Sequence, residues 1–177
     1  MKKLRRTCER NLEAARGYIS LELPGLAQQE LARIHDISKC AFDYHYLQGE
    51  AYRLRKEHDK ALSHFSLAHD VRPSDLGVLL GMAWCLKRLD QLERAIDMTV
   101  QAYRVHPKEP IILYNLACYH ALAGNKSDAL SWLGRALRME SSLRSLIDDE
   151  MDFDPLRSDP DFQFLTSCKR DHIDTTD

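Results

Sequence analysis

Written at a period of 34 residues, this chain stacks its smallest side chains in columns without a single gap. One column holds Ala15, Gly49, Ala83 and Ala117; a second holds Ala27, Ala61, Ala95 and Ala129; a third holds Ala68, Ala102 and Ala136. Two helices approach closely only where neither presents bulk at the crossing, so each column predicts a recurring helix–helix contact. Larger residues fill the space between, with Tyr52, Leu86 and His120 in one register and Phe65 and Leu133 in another. Pro73 and Pro107, in "RPSD" and "HPKEP", recur at the same interval and mark joints where a helix stops. Apolar residues recur at three- and four-residue spacing, as in Leu79, Met82, Ala83 and Leu86, or Leu113, Leu116 and Ala117. That is the pattern of amphipathic helices. No stretch sustains the apolar–polar alternation of a half-buried strand, so the expected class is all-α.

This order of residues resembles the tetratricopeptide repeat, a helix-turn-helix unit with a bulky residue, Leu-Gly, Tyr, Ala, Phe, Ala and Pro in fixed order. Three units carry the resemblance: "FDYHYLQGEAYRLRKEHDKALSHFSLAHDVRPSD" from 42, "LGVLLGMAWCLKRLDQLERAIDMTVQAYRVHPKE" from 76, and "PIILYNLACYHALAGNKSDALSWLGRALRMESSL" from 110. A degenerate copy is expected over 8–41, where Ala15, Tyr18, Ala27 and Leu31 fall in phase but Ile34 and Lys39 replace the alanine and proline. His45, Thr99 and Ser141 depart from the pattern inside the good copies and suggest local looseness. The resemblance implies a right-handed α-solenoid with three parts: an N-terminal helical pair over 1–41, three repeats over 42–143, and an acidic capping segment over 144–177. In the segment "SSLRSLIDDEM", Leu143, Leu146 and Ile147 are expected to cover the last repeat, and in the cap Asp159 is expected as N-cap with Pro160 at the first position of a further helix.

Charge and cysteine content narrow the functional classes. Lysine plus arginine number 25 against 27 acids, which gives no electrostatic reason to expect nucleic acid or an anionic membrane as partner. The acids concentrate at the end: residues 141–177 hold 10 acids and 4 bases. The basic start lacks a signal-peptide core and no apolar run has spanning length, so the expected location is cytoplasmic. Five cysteines with no CxxC suit free thiols in a reducing compartment. No histidines stand four apart, and no phosphate-binding glycine loop occurs, so neither metal nor cofactor is expected. Gly77 and Gly81 form a GxxxG spacing with charged flanks, which reads as accidental. In "LACYHALAG", Cys118 and His120 are two apart and point to different sides of a helix. That excludes a direct nucleophile–base pair, and the chain is expected not to be an enzyme.

In the family that the chain resembles, the first helix of each pair lines the inner wall of the stack. Carried over residue by residue, the wall comprises three stripes: Tyr46, Glu50, Arg53 and Leu54; Leu80, Trp84, Lys87 and Arg88; and Ile111, Tyr114, Cys118 and Leu122. Aromatic and arginine residues dominate binding hot spots, so such a wall suits a protein or peptide offering an apolar anchor flanked by acids. The resemblance thus implies an interaction adaptor or scaffold. The alternatives are a chaperone like those of type III secretion, which are similar in size and carry three such repeats, and an enzyme with hidden chemistry. A carboxylate clamp for chaperone tails is not expected, because its positions carry Tyr46, Glu50, Gly81 and Ile111, with only Asn115 in keeping. A further reading has the acidic stretch Asp148 to Asp161 fold over the basic rim at Lys87 and Arg88. Exposed end repeats leave self-association open.

Overall fold

The computed structural model describes the backbone of residues 2–167 and the side chains of 7–167. Residue 1 and the end of the capping segment, 168–177 with Cys168, lie outside the described residues. All described elements are helical: α1 (Lys2–Ser20), α2 (Pro24–Ala32), α3 (Ala41–Leu54), α4 (His58–Val71), α5 (Leu76–Arg88), α6 (Leu92–Val105), α7 (Pro110–Leu122), α8 (Lys126–Met139), α9 (Arg144–Ile147) and α10 (Pro160–Ser167), with 3-10 turns at Ser141–Leu143 and Met151–Leu156. The chain divides into two compact units, Met1–His106 and Pro107–Asp177. Packing therefore divides at 106, three residues before the end of the sequence period 76–109.

Every hairpin turns in the same way. Glu22, Lys56, Asp90 and Gly124 adopt positive φ of 56°, 61°, 56° and 75°. These four positions are spaced at the sequence period, so the period is written into the backbone as well as the side chains. In each turn the next amide donates to a carbonyl five residues back, from Leu23 to Tyr18, Glu57 to Tyr52, Gln91 to Leu86 and Asn125 to His120, at 2.8 to 3.0 Å. This Schellman-type closure satisfies carbonyls that the ending helix leaves orphaned. Glycine supplies the left-handed residue only in the last copy.

In the first unit, α1/α2, α3/α4 and α5/α6 form successive hairpins, with α2 and α4 packing on α3 and α5. Ala15, Ala27, Ala51, Ala61, Ala68, Ala83, Ala95 and Ala102 are all fully buried. The Phe65 ring is likewise fully buried, seated between Gly49 and Gly81. Gly77 leaves room for the Tyr46 hydroxyl in the same manner. The Gly77/Gly81 spacing is thus a packing device, which corrects its reading as accidental. Thr99 is not loose either: it is fully buried, and its hydroxyl donates to the Ala95 carbonyl at 2.7 Å. The second helix of the first hairpin spans nine residues, against fourteen for α4, α6 and α8. Past its end, Asp36 accepts from the Ser38 amide at 3.0 Å, a local bond that competes with helix continuation. Cys8 of α1 and Cys40 at the start of α3 bring their Sγ atoms to 2.7 Å as free thiols.

In the second unit, α7 and α8 pair, and the C-terminal segment closes over them. Leu143, Ile147, Phe153, Leu156 and Phe162 are buried. Leu146 is 46% exposed and does not take part, contrary to the expectation, because the helix containing it is a single turn, Arg144–Ile147. Asp159 caps α10, accepting from Asp161 and Phe162 amides at 2.9 and 3.3 Å, with Pro160 first in the helix. Lys126 reaches Asp159 and Asp161 at 2.7 and 2.8 Å, and Arg144 donates to the Leu165 and Thr166 carbonyls at the other end of α10.

Candidate functional site

The first two stripes lie on α3 and α5, neighbours in the first unit. Their centre is Trp84, half-buried, with two guanidiniums over its ring: Arg53 at 5.5 Å and Arg88 at 5.2 Å from the ring centre. The electron-rich face of an indole attracts such cations, so the three side chains form a layered platform. Arg53 is also held by Glu50 through two nitrogens, the shorter contact being 2.7 Å, and this pairing keeps the guanidinium firmly charged. Arg88 is exposed and, among the described residues, has no ion-pair partner. The platform therefore carries one neutralised arginine and one available to an incoming anion.

Tyr46, Leu54, Leu80 and Lys87 are half-buried around it. Tyr46 stacks on Phe42 at 6.0 Å, and burial followed by the Glu50 charge pushes its hydroxyl up. His58, the first residue of α4, meets the Trp84 ring edge-on at 5.2 Å. Burial and then Arg88 hold its imidazole below the usual histidine range. Sequence reading missed His58, since nothing in the repeat marks a helix-starting residue as part of the wall. Cys85, behind the platform, is buried and its thiol is pushed up to about 12 by desolvation.

The third stripe differs. Ile111 is half-buried and Leu122 is 39% exposed, but Tyr114 and Cys118 are buried at 3% and 2%. Phe153 of the turn Met151–Leu156 lies edge-on against Tyr114 at 5.6 Å and itself contacts Phe162 at 5.4 Å. The chain's own C-terminal segment thus fills this part of the wall, which corrects the expectation of an open surface there. Within the same unit, Asp159 and Asp161 of that segment pair with Lys126, and Asp154 pairs with Arg157. Cys118 and His120 do not meet. The thiol faces Glu150 and Asp152, while the His120 ring stands 3.5 Å from the Asn125 amide and 4.0 Å from Asp128.

No protein-family model matches the chain, and no curated protein matches it. Solved structures do. MamA is similar over 78% of this chain and 81% of its own, at 15% identity and TM-score 0.70. PilF of Pseudomonas aeruginosa is similar over 87% of this chain and 69% of its own, at 17% identity and TM-score 0.72. MamA of Desulfovibrio magneticus RS-1, from residue 41 to its end, covers 90% of this chain and 93% of its own at 13% identity and TM-score 0.70. These are tetratricopeptide-repeat proteins, and the fold of this chain is accordingly an all-α solenoid of the tetratricopeptide type. Identities this low establish the fold alone. No described helix is long and apolar enough to cross a membrane.

Proposed function

We propose that the chain is a non-enzymatic interaction scaffold whose recognition surface is the α3/α5 wall centred on Trp84. The single observation that carries this reading is the Arg53–Trp84–Arg88 platform. A large rigid aromatic flanked by arginine combines apolar area with directional donors, the composition that concentrates binding energy in few residues. The preferred ligand is a protein segment with an aromatic or aliphatic anchor next to Asp or Glu. Its anchor packs on the indole edge and Leu80, and its carboxylate pairs with Arg88.

The test is fluorescence anisotropy with a labelled peptide bearing one aromatic residue between acidic ones, against a peptide in which the acids are amides. Micromolar-range binding that weakens with salt is expected for the acidic peptide only. Arg88→Glu, an exposed change that leaves the core intact, should weaken it at least tenfold. Trp84→Ala should weaken it similarly, with helical circular dichroism retained. Equal binding of both peptides, or unchanged affinity in Arg88→Glu, would overturn the reading.

A further inference from the structure

The first unit brings together two thiols that lie 32 residues apart in sequence. Cys8 stands in the first half of α1, and Cys40 is the residue before α3, where its side chain makes no capping bond. The short α2 is what puts Cys40 there. Because α2 ends at Ala32, residues 33–40 return to α3 without a long helix and lay Ile34, Ile37 and Cys40 on the same apolar cluster as Leu12 and Cys8. The two Sγ atoms meet at 2.7 Å, both half-buried.

That separation decides which chemistry the pair can do. A disulfide holds its sulfurs about 2.05 Å apart, and two thiolates on one tetrahedral zinc stand about 3.7 Å apart. At 2.7 Å the sulfurs lie nearer to bonding distance than to the spacing a shared metal imposes. Both residues are half-buried rather than enclosed, which leaves a route for a small oxidant. Burial, then the hydrogen bond with Cys8, pushes the Cys40 thiol up to about 12. Cys40 therefore keeps its proton, and the sulfur that reacts first is that of Cys8.

We propose that Cys8 and Cys40 form a reversible disulfide, driven by hydrogen peroxide, that clamps α1 to the start of α3. The Cys8 thiol gives its proton to solvent, and its sulfur attacks one peroxide oxygen. An S–O bond forms, the O–O bond breaks, and the departing hydroxide takes a proton to leave as water. The Cys40 sulfur then attacks the Cys8 sulfur: the S–S bond forms, the S–O bond breaks, and the released hydroxide takes the Cys40 proton. Two thiols and one peroxide thus give one disulfide and two waters, and a thiol reductant reverses the change by exchange. A bond between residues this far apart restricts the unfolded chain more than the folded one, so the clamped form is the more stable. The clamp acts next to α3, the helix that carries Tyr46, Glu50 and Arg53. No CxxC marks the pair, which is why the sequence pointed only to free thiols.

The test uses the full chain, reduced and then treated with one equivalent of hydrogen peroxide before the remaining thiols are alkylated. Non-reducing tryptic mapping should recover peptide 7–10 joined to peptide 40–53 as the main product, from monomeric protein, and dithiothreitol should separate them. The oxidised chain should melt roughly 5–10 °C higher than the reduced one, a rise absent in Cys8→Ser and Cys40→Ser. Dimedone, which traps sulfenic acid, should label Cys8 in Cys40→Ser and leave Cys40 unlabelled in Cys8→Ser. The mapping arm needs no variant, so it decides the pairing even where a serine weakens packing. The clamp is overturned if Cys8 and Cys40 both remain alkylatable after peroxide, or if the main bond joins two chains or runs to Cys85, Cys118 or Cys168. An oxidised chain that melts no higher than the reduced one would equally overturn it, and labelling of Cys40 in Cys8→Ser would overturn the order of the steps.

Discussion

At the residue scale, two glycines and four turn positions decide how the hairpins fit. A Cβ at Gly49 would stand 2.7 Å from Phe65 Cδ1, and one at Gly81 would stand 2.8 Å from Phe65 Cζ. The ring is hemmed in by both and cannot retreat from either. Overpacking costs about 1–3 kcal/mol, whereas alanine in a helix interior gains about 1 kcal/mol over glycine. Steric conflict wins, so Gly49→Ala is expected to lower stability by about 1–2 kcal/mol in urea unfolding. Combining it with Phe65→Leu should cost less than the sum of the two single changes; strict additivity would show that the ring is not what limits the glycine. The turns go the other way. Asp90 and Lys56 hold φ of 56° and 61°, strained for residues with a Cβ. Asp90→Gly and Lys56→Gly should therefore each stabilise by roughly 0.5–1 kcal/mol, and Gly124→Ala should destabilise by a similar amount or more. A lower melting temperature for both glycine variants would contradict the strain.

At the element scale, α3 and α4 are joined by a histidine pair as well as by packing. His45 and His64 bring their Nδ1 atoms to 3.1 Å, with His64 stacked on Tyr52 and His45 edge-on to Tyr44. One ring must donate and the other accept, so the bond is lost when both are protonated. Burial holds both imidazoles below the usual value, and His45 pushes His64 further down; His58 shifts the same way. The unfolded chain then binds protons more readily than the folded one near and below about pH 6.5, and stability falls as pH drops through that window. Melting temperature should decline from neutral pH toward about pH 5, and less steeply in His64→Gln. An equal slope in that variant would remove the pair as the cause. This contact also marks where legibility ended. The alanine columns and proline joints made α3 to α8 readable, because each repeats a local rule. His45 read only as a departure from the repeat pattern, since a cross-helix polar bond has no sequence period. The short α2 was equally hidden: Asp36 and Ser38 compete with the helix through one local hydrogen bond that no column records.

At the scale of the whole molecule, the repeats need an end, and the C-terminal segment supplies one by burying what the family pattern would leave open. Trp84 and Arg88 could be placed on one face of α5, and Arg53 with Glu50 on one face of α3, because their spacing follows the helix. Tyr114 and Cys118 follow the same spacing, yet their fate depends on Phe153, which arrives from a turn that is not periodic at all. A solenoid's exposed apolar end requires such cover for solubility, and here the cover is aromatic: Phe153 fully buried, Phe162 at 3% exposure. Removing it should therefore act far beyond the deleted residues. A chain ending after Glu140 is expected to retain the helical signal of its hairpins, melt at lower temperature, and aggregate more readily. Cys118, 2% exposed in the full chain, should become reactive to a thiol reagent under native conditions, located by peptide mapping so that Cys8 and Cys40 are counted separately. A milder change makes the same point without truncation. Phe153→Ala should cost about 3–5 kcal/mol, the range for emptying a buried aromatic site, and raise Cys118 labelling in parallel. If Cys118 stayed as protected in both variants as in the full chain, the cover would have to come from elsewhere than the segment that ends the fold.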